Sequence, residues 1–134
     1  TTDAFQVATS ILYQSPLQHF GIMPNNLEEQ PDYVIDFMKK VPVVWDETRF
    51  VDGYPGKFCV IARRAGDKWY VVATHADRQP KELKLSLPWL AGKQVNMLYD
   101  KDDRTAGLRV ATVDKKGNLT IRMQGLGGAV VYTD

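Results

Sequence analysis

The sequence predicts a mainly β protein: an antiparallel β-sandwich preceded by two α-helices (α+β overall). Three observations carry this. The stretch from Lys57 to Ala76, KFCVIARRAGDKWYVVATHA, holds two runs of β-branched and aromatic residues on either side of Gly66-Asp67. From Val41 onward apolar residues recur with a period of about two, in short runs separated by turn residues. Before Val41 the apolar spacing is helical. Helices followed by many strands, without alternation, argue against a doubly wound parallel sheet and for a sandwich or barrel of short strands.

The first helix is expected over Thr2 to Tyr13. Phe5, Ala8, Ile11 and Leu12 form one stripe with Val7 beside it. Thr2 or Asp3 can cap its start, and Ser15-Pro16 ends it because the residue before proline is pushed out of the α region. The link from Leu17 to Pro24 is apolar and should lie against a surface. Asn25 or Asn26 then caps a second helical stretch that runs to Lys40, with Pro31 at the first position of its main turn. Its stripe is Tyr33, Val34, Phe37 and Met38, and Lys39-Lys40 suit its negative C-terminal end.

Nine strands are expected after Val41-Pro42: near Val43 to Trp45, Glu47 to Val51, Phe58 to Arg64, Trp69 to His75, Lys81 to Leu87, Gln94 to Tyr99, Leu108 to Asp114, Asn118 to Met123 and Gly128 to Tyr132. In the Gly66-Asp67 hairpin, glycine supplies positive φ at the first turn position and aspartate tolerates the second. A two-residue loop pairs Arg64 with Trp69, Ala62 with Val71, Val60 with Ala73 and Phe58 with His75, and on the other face Arg63 with Tyr70, Ile61 with Val72 and Cys59 with Thr74. Both faces are largely apolar, where an edge hairpin with one wet face would alternate. These strands should therefore be central, packed on a second sheet on one side and partly covered on the other. Lys81 to Leu87 alternates, with its three leucines inward. The chain divides into 1–40, helical, and 41–134, the β-sandwich.

At 134 residues the chain can bury one core. Its net charge of +1 gives no field for nucleic acid or an anionic membrane. No apolar run approaches the roughly 20 residues that span a bilayer. Cys59 is the one cysteine, so no internal disulfide forms. The chain opens without Met on a helical pattern, which reads as a piece of something longer.

No constellation announces catalysis. His19 and His75 stand apart, each without a second metal-spaced ligand. Cys59 lies mid-strand, where a thiol is usually inert. Neighbours on a strand point to opposite faces, so Asp46-Glu47 cannot flank a glycosidic bond together. Asp100-Lys101-Asp102-Asp103 opens like a calcium loop but lacks its glycine and its distant bidentate glutamate, so a solvated turn is the better reading. Trp45, Trp69 and Trp89, with Tyr70 and Tyr99, could stack on sugar rings; core packing is the plainer use of them.

The block from Val41 to Phe50, VPVVWDETRF, followed by Asp52 to Lys57, DGYPGK, resembles the C-terminal part of a family-97 glycoside hydrolase. Ala62 to Val71, ARRAGDKWYV, and Ser10 to Phe20, SILYQSPLQHF, fit the same family, so the likeness covers nearly the whole chain. It implies an α-glucosidase or α-galactosidase parent with an N-terminal β-sandwich, a (β/α)8 catalytic barrel and a C-terminal sandwich. Residues 1–40 would end the barrel and 41–134 would be the last domain. The family's catalytic carboxylates and calcium-binding glutamates lie upstream, and no position here matches them. The resemblance thus implies a non-catalytic domain with no cofactor of its own from a calcium-dependent parent, periplasmic or extracellular. Its partners would be the catalytic barrel and further copies, not nucleic acid or membrane. The alternative is an autonomous carbohydrate-binding module using Trp45, Trp69 and Trp89.

Overall fold

A computed structural model describes residues 2–12, 31–42, 44–54 and 57–133. Two helices, α1 (Asp3–Leu12) and α2 (Asp32–Lys40), precede eight strands: β1 (Glu47–Tyr54), β2 (Phe58–Ala65), β3 (Lys68–His75), β4 (Lys81–Ser86), β5 (Gln94–Asp100), β6 (Ala106–Thr112), β7 (Asn118–Met123) and β8 (Gly128–Tyr132). The larger sheet has the order β1-β2-β3-β8-β5-β6, and β4 pairs with β7 in a second sheet. Every pairing is antiparallel.

The hairpin falls where the sequence puts it. Phe58 pairs with His75, Val60 with Ala73, Ala62 with Val71 and Arg64 with Trp69. Gly66 has φ +63°, and Asp67 is not among the positive-φ residues, as a turn with glycine at its first central position requires. Strands β2 and β3 are interior and both faces are used. Val60, Ala62, Val71 and Ala73 meet Leu83 and Leu85 of β4 and Leu119, Ile121 and Met123 of β7 in the core between the sheets. On the opposite face Tyr70 and Val72, with Leu98 and Val130, pack under Ala4, Val7, Ala8 and Ile11 of α1 and Val34 and Phe37 of α2.

Several boundaries differ from expectation. Val44 and Trp45 form no strand, and Val43 lies outside the described residues. Strand β2 turns away at Gly66, so residues ahead of Asp46 have no neighbour to pair with; the last link is Asp46 N–H to Arg64 O at 2.8 Å. Strand β1 runs on to Tyr54 through a bulge at Val51. Strand β6 begins at Ala106 because Asp100 pairs with it across a short turn. It stops at Thr112 because Asp114 accepts the N–H groups of Lys116 and Asn118, at 2.9 and 2.8 Å, and starts the next turn.

The helices cover the outer face with small corrections. Thr2 caps α1, its hydroxyl accepting the Phe5 N–H at 3.1 Å. The buried stripe is Ala4, Val7, Ala8 and Ile11, while Phe5 and Leu12 are only half-buried. The rotation has a steric cause: α1 crosses Gly128 so closely that a Cβ there would lie 2.8 Å from Phe5 Cα. Two alanines permit that approach and the Phe5 ring turns to the side. Pro31 precedes α2 as its N-cap, with an extended ψ of 146°, rather than occupying the first helical position. Val34 and Phe37 are buried, Tyr33 and Met38 flank them, and Tyr33 Oη donates to Ala106 O at 2.7 Å. The expected apolar link, the Asn25 or Asn26 cap and His19 lie outside the described residues.

Candidate functional site

The carboxylates that the sequence singles out as pairs are held by partners within the fold. Asp46 Oδ2 accepts the Gly66 N–H at 2.7 Å and so braces the hairpin turn. Glu47 accepts from Arg49 and, at 3.3 Å, from Arg64 Nε. The Arg49 hydrogen bond first, then Arg64, holds the Glu47 carboxyl below its ordinary range. Asp103 Oδ1 accepts the Thr105 hydroxyl at 2.6 Å and its N–H at 3.1 Å, and this lowers its pKa as well. Asp102 takes a long contact of 3.4 Å from Gln124. Among the described residues no three His, Cys, Asp or Glu side chains converge as a metal site would need.

Asp100, read from the sequence as part of a solvated turn, is instead buried, because its carboxylate binds main-chain N–H groups of a distant turn. It is 7% exposed, at the end of β5, and its Oδ2 accepts the Gln124 N–H at 2.8 Å and the Gly128 N–H at 3.1 Å. Burial pushes its carboxyl up, against the Thr2 hydroxyl, these two N–H groups and Arg104. Its partners lie far along the chain, so no local spacing could have flagged it. Arg63 was placed in register opposite Tyr70, but nothing in the sequence marked it as buried. It is 6% exposed under the end of α1, where Nη2 donates to Leu12 O at 3.2 Å, while Nε and Nη1 have no acceptor. Burial lowers its pKa.

The three tryptophans do not form one ridge. Trp69 and Trp89 meet with centroids 5.1 Å apart and planes tilted by 44°. The Arg49 guanidinium lies over both rings, at 4.9 and 4.7 Å, and Glu47 anchors it there. Their shared face is therefore occupied by the protein's own cation. Trp45 belongs to the opposite side, edge-on to the buried Tyr70 at 5.3 Å. Tyr99 carries the Arg109 guanidinium at 5.2 Å.

His75 is buried, with Nε2 donating to Gln124 O at 2.5 Å; its Nδ1 has no partner. Cys59 is half-buried, and burial raises its pKa, which leaves it a poor nucleophile. Both line an open apolar groove of about 540 Å³ at the end of β1, β2 and β3. Phe5, Phe50, Tyr54, Phe58 and Leu126 form most of the rest of its wall. This groove suits an apolar partner surface rather than chemistry.

Comparison with known proteins gives the same picture. The family model described as glycosyl-hydrolase 97 C-terminal, oligomerisation, matches residues 44–133. A retaining α-galactosidase of Bacteroides thetaiotaomicron is 31% identical over 97 residues, covering 72% of this chain and 14% of the galactosidase. A β-arabinopyranosidase crystal structure superposes with a TM-score of 0.94 at 46% identity, over 99% of this chain and 21% of that one. A family-97 enzyme of Pseudoalteromonas sp. strain K8, solved with panose, superposes with a TM-score of 0.81 at 28% identity, over 98% of this chain and 22% of that one. The chain thus spans less than a quarter of the length of each of these relatives. With the sandwich, its helical cover and this match over most of its length in agreement, the chain belongs to the C-terminal oligomerisation domain family of the family-97 glycoside hydrolases.

Proposed function

We propose that this chain is the non-catalytic end of a longer glycoside hydrolase, where it packs on the catalytic barrel and helps to hold copies of the enzyme together. The observation that carries the reading is the use of its carboxylates. Glycoside hydrolysis needs two facing each other across the bond, and here Asp46, Glu47, Asp100 and Asp103 are each bound to a local partner. Catalysis then belongs to the barrel, and calcium, where the parent uses it, to its other domains. Residues 1–40 read as the last helical part of that barrel. Location outside the cytoplasm, periplasmic or extracellular, goes with the same reading.

The parent's substrate is an α-glycoside of glucose-like or galactose-like configuration: one relative was solved with panose, a glucose trisaccharide, and two others carry names of the galactose-like kind. One acts on α-galactosides by its name and another on β-arabinopyranosides. In the L series a β-arabinopyranoside has the ring configuration of an α-D-galactoside without the exocyclic hydroxymethyl group. Pure chain should hydrolyse neither aryl glycoside, while the parent hydrolyses at least one and sediments as an oligomer. Turnover by the chain, abolished by a single Asp or Glu substitution, would overturn the non-catalytic reading. A parent that stays monomeric would remove the assembly role.

A further inference from the structure

We propose that the cleft between α2 and the outer face of the larger sheet is a binding site for an acidic sugar, a hexuronic acid held by Lys40, Lys68 and Asp36 against the Tyr132 ring. The site is built from this chain's own helix and sheet and does not depend on the parent's activity or assembly.

The cleft follows from how its two walls are made. Tyr33, Asp36, Phe37 and Lys40 recur at i, i+3, i+4 and i+7, so they share one stripe of α2. Facing them, strand pairing sets Tyr70 opposite Tyr132 and Tyr132 opposite Asn96, a row across β3, β8 and β5. Lys68 lies two residues before Tyr70 in β3 and so on the same face. Together these side chains line a cavity of about 580 Å³, within the range of small-molecule sites.

Three properties select the ligand. The first is an aromatic wall. Phe37 and Tyr132 meet with centroids 4.9 Å apart, and Tyr70 stacks on Tyr132 at 6.1 Å with planes 14° apart. Tyr132 lines the cleft and is only half-buried, and an open aromatic face suits the C–H face of a pyranose. The second is unspent charge. Asp36, Lys40 and Lys68 are exposed and form no ion pair among the described residues. Asp36 and Lys40 stand four residues apart on the helix, where pairing is normal. Two ammonium groups against one carboxylate leave the cleft positive, and a ligand carboxylate answers the excess. The third is Asp36 itself. An ionised carboxylate only accepts hydrogen bonds, so it repels a plain anion and binds hydroxyl donors. The ligand must then carry a ring, a negative charge and hydroxyl groups, and a hexuronic acid has all three. Galactose lacks the charge, and benzoate lacks the hydroxyls.

Titration calorimetry of the intact parent protein with D-galacturonate tests this. The wild type should bind it saturably, and more weakly as salt is added. Lys40→Gln, Lys68→Gln and Asp36→Asn should each weaken binding about tenfold, the scale of one hydrogen bond to a charged group. All three side chains are exposed, so the variants should fold and turn over an aryl glycoside like the parent. D-Galactose and benzoate should each bind the wild type at least about tenfold more weakly than galacturonate. No saturable binding of galacturonate would overturn the proposal. Binding that none of the three substitutions weakens would overturn it too, by placing the sugar elsewhere. Galactose bound as tightly as galacturonate would remove the role of the lysines, and benzoate bound as tightly would remove that of Asp36; either result sinks the assignment. An inactive or monomeric parent leaves all of these titrations readable.

Discussion

Asp100 Oδ2 accepts the main-chain N–H of Gly128 at 3.1 Å and ties the end of β5 to the start of β8. The same oxygen takes the Gln124 N–H, so one buried carboxylate orders the turn that brings the last strand into the middle of the sheet. Asp100→Ala should therefore cost about 3 kcal/mol, since it strands two N–H groups in or near the core. The pH dependence has a defined sign. Burial raises the Asp100 pKa above its ordinary 3.8, so the folded state holds its proton more tightly than the unfolded chain does. Its contribution is most favourable below 3.8 and declines as pH rises through the raised folded value. Asp100→Asn keeps an oxygen for the two N–H groups and removes the charge. Its stability relative to the parent should rise with pH across that window in chemical denaturation, and a pH-independent difference would count against the assignment.

The buried guanidinium of Arg63 gives a second prediction. Two of its nitrogens have no acceptor, and among the described residues no carboxylate pairs with it, so its charge costs stability while its stem packs. Arg63→Met keeps the stem and should leave stability within about 1 kcal/mol of the parent or raise it. Arg63→Ala, which empties the site, should lose about 2–4 kcal/mol. Equal losses in both variants would show that the charge itself is needed.

The register of β2 and β3 was legible because a Gly-Asp turn fixes a two-residue loop, and the loop fixes every pair after it. The two helices were legible from period alone, although the face that α1 buries was set by Gly128, a residue about 120 positions away whose bare backbone lets α1 descend. Strand order was not legible. Nothing in Gly128 to Tyr132 says that it slots between β3 and β5, since an apolar strand buried on both faces reads the same at any interior position. The tryptophans were visible as residues, but which face each took depended on Arg49, Tyr70 and the turn at Pro88–Leu90.

That arrangement separates packing from sugar recognition. Trp69 is half-buried against Trp89, so Trp69→Ala should cost about 2 kcal/mol, below the cost of emptying a fully buried tryptophan site. Arg49→Ala uncovers both rings at a cost of about 0.5–1 kcal/mol, the scale of an exposed cation–π contact. Neither the wild type nor this variant should change its tryptophan fluorescence on titration with galactose or arabinose. A saturable change in the variant, lost on adding Trp69→Ala, would favour the carbohydrate-binding alternative.

The last prediction concerns how α1 is held. At Gly128 a Cβ would come within 2.8 Å of Phe5 Cα and 3.0 Å of Ala73 O, both backbone atoms that no side-chain rotation can clear. Gly128→Ala must therefore lift the helix or shift β8 against β3, and overpacking of this kind costs about 1–3 kcal/mol. The helix is the softer element. Ten residues are too few to be stable in isolation, and burial of Ala4, Val7, Ala8 and Ile11 is what fixes them. Hydrogen exchange should then show α1 amides losing most of their protection in Gly128→Ala while β4 and β7, on the opposite side of the larger sheet, keep theirs. Uniform loss across both sheets would mean that the helix and the sandwich unfold as one unit, and that α1 is part of the core rather than a layer laid on it.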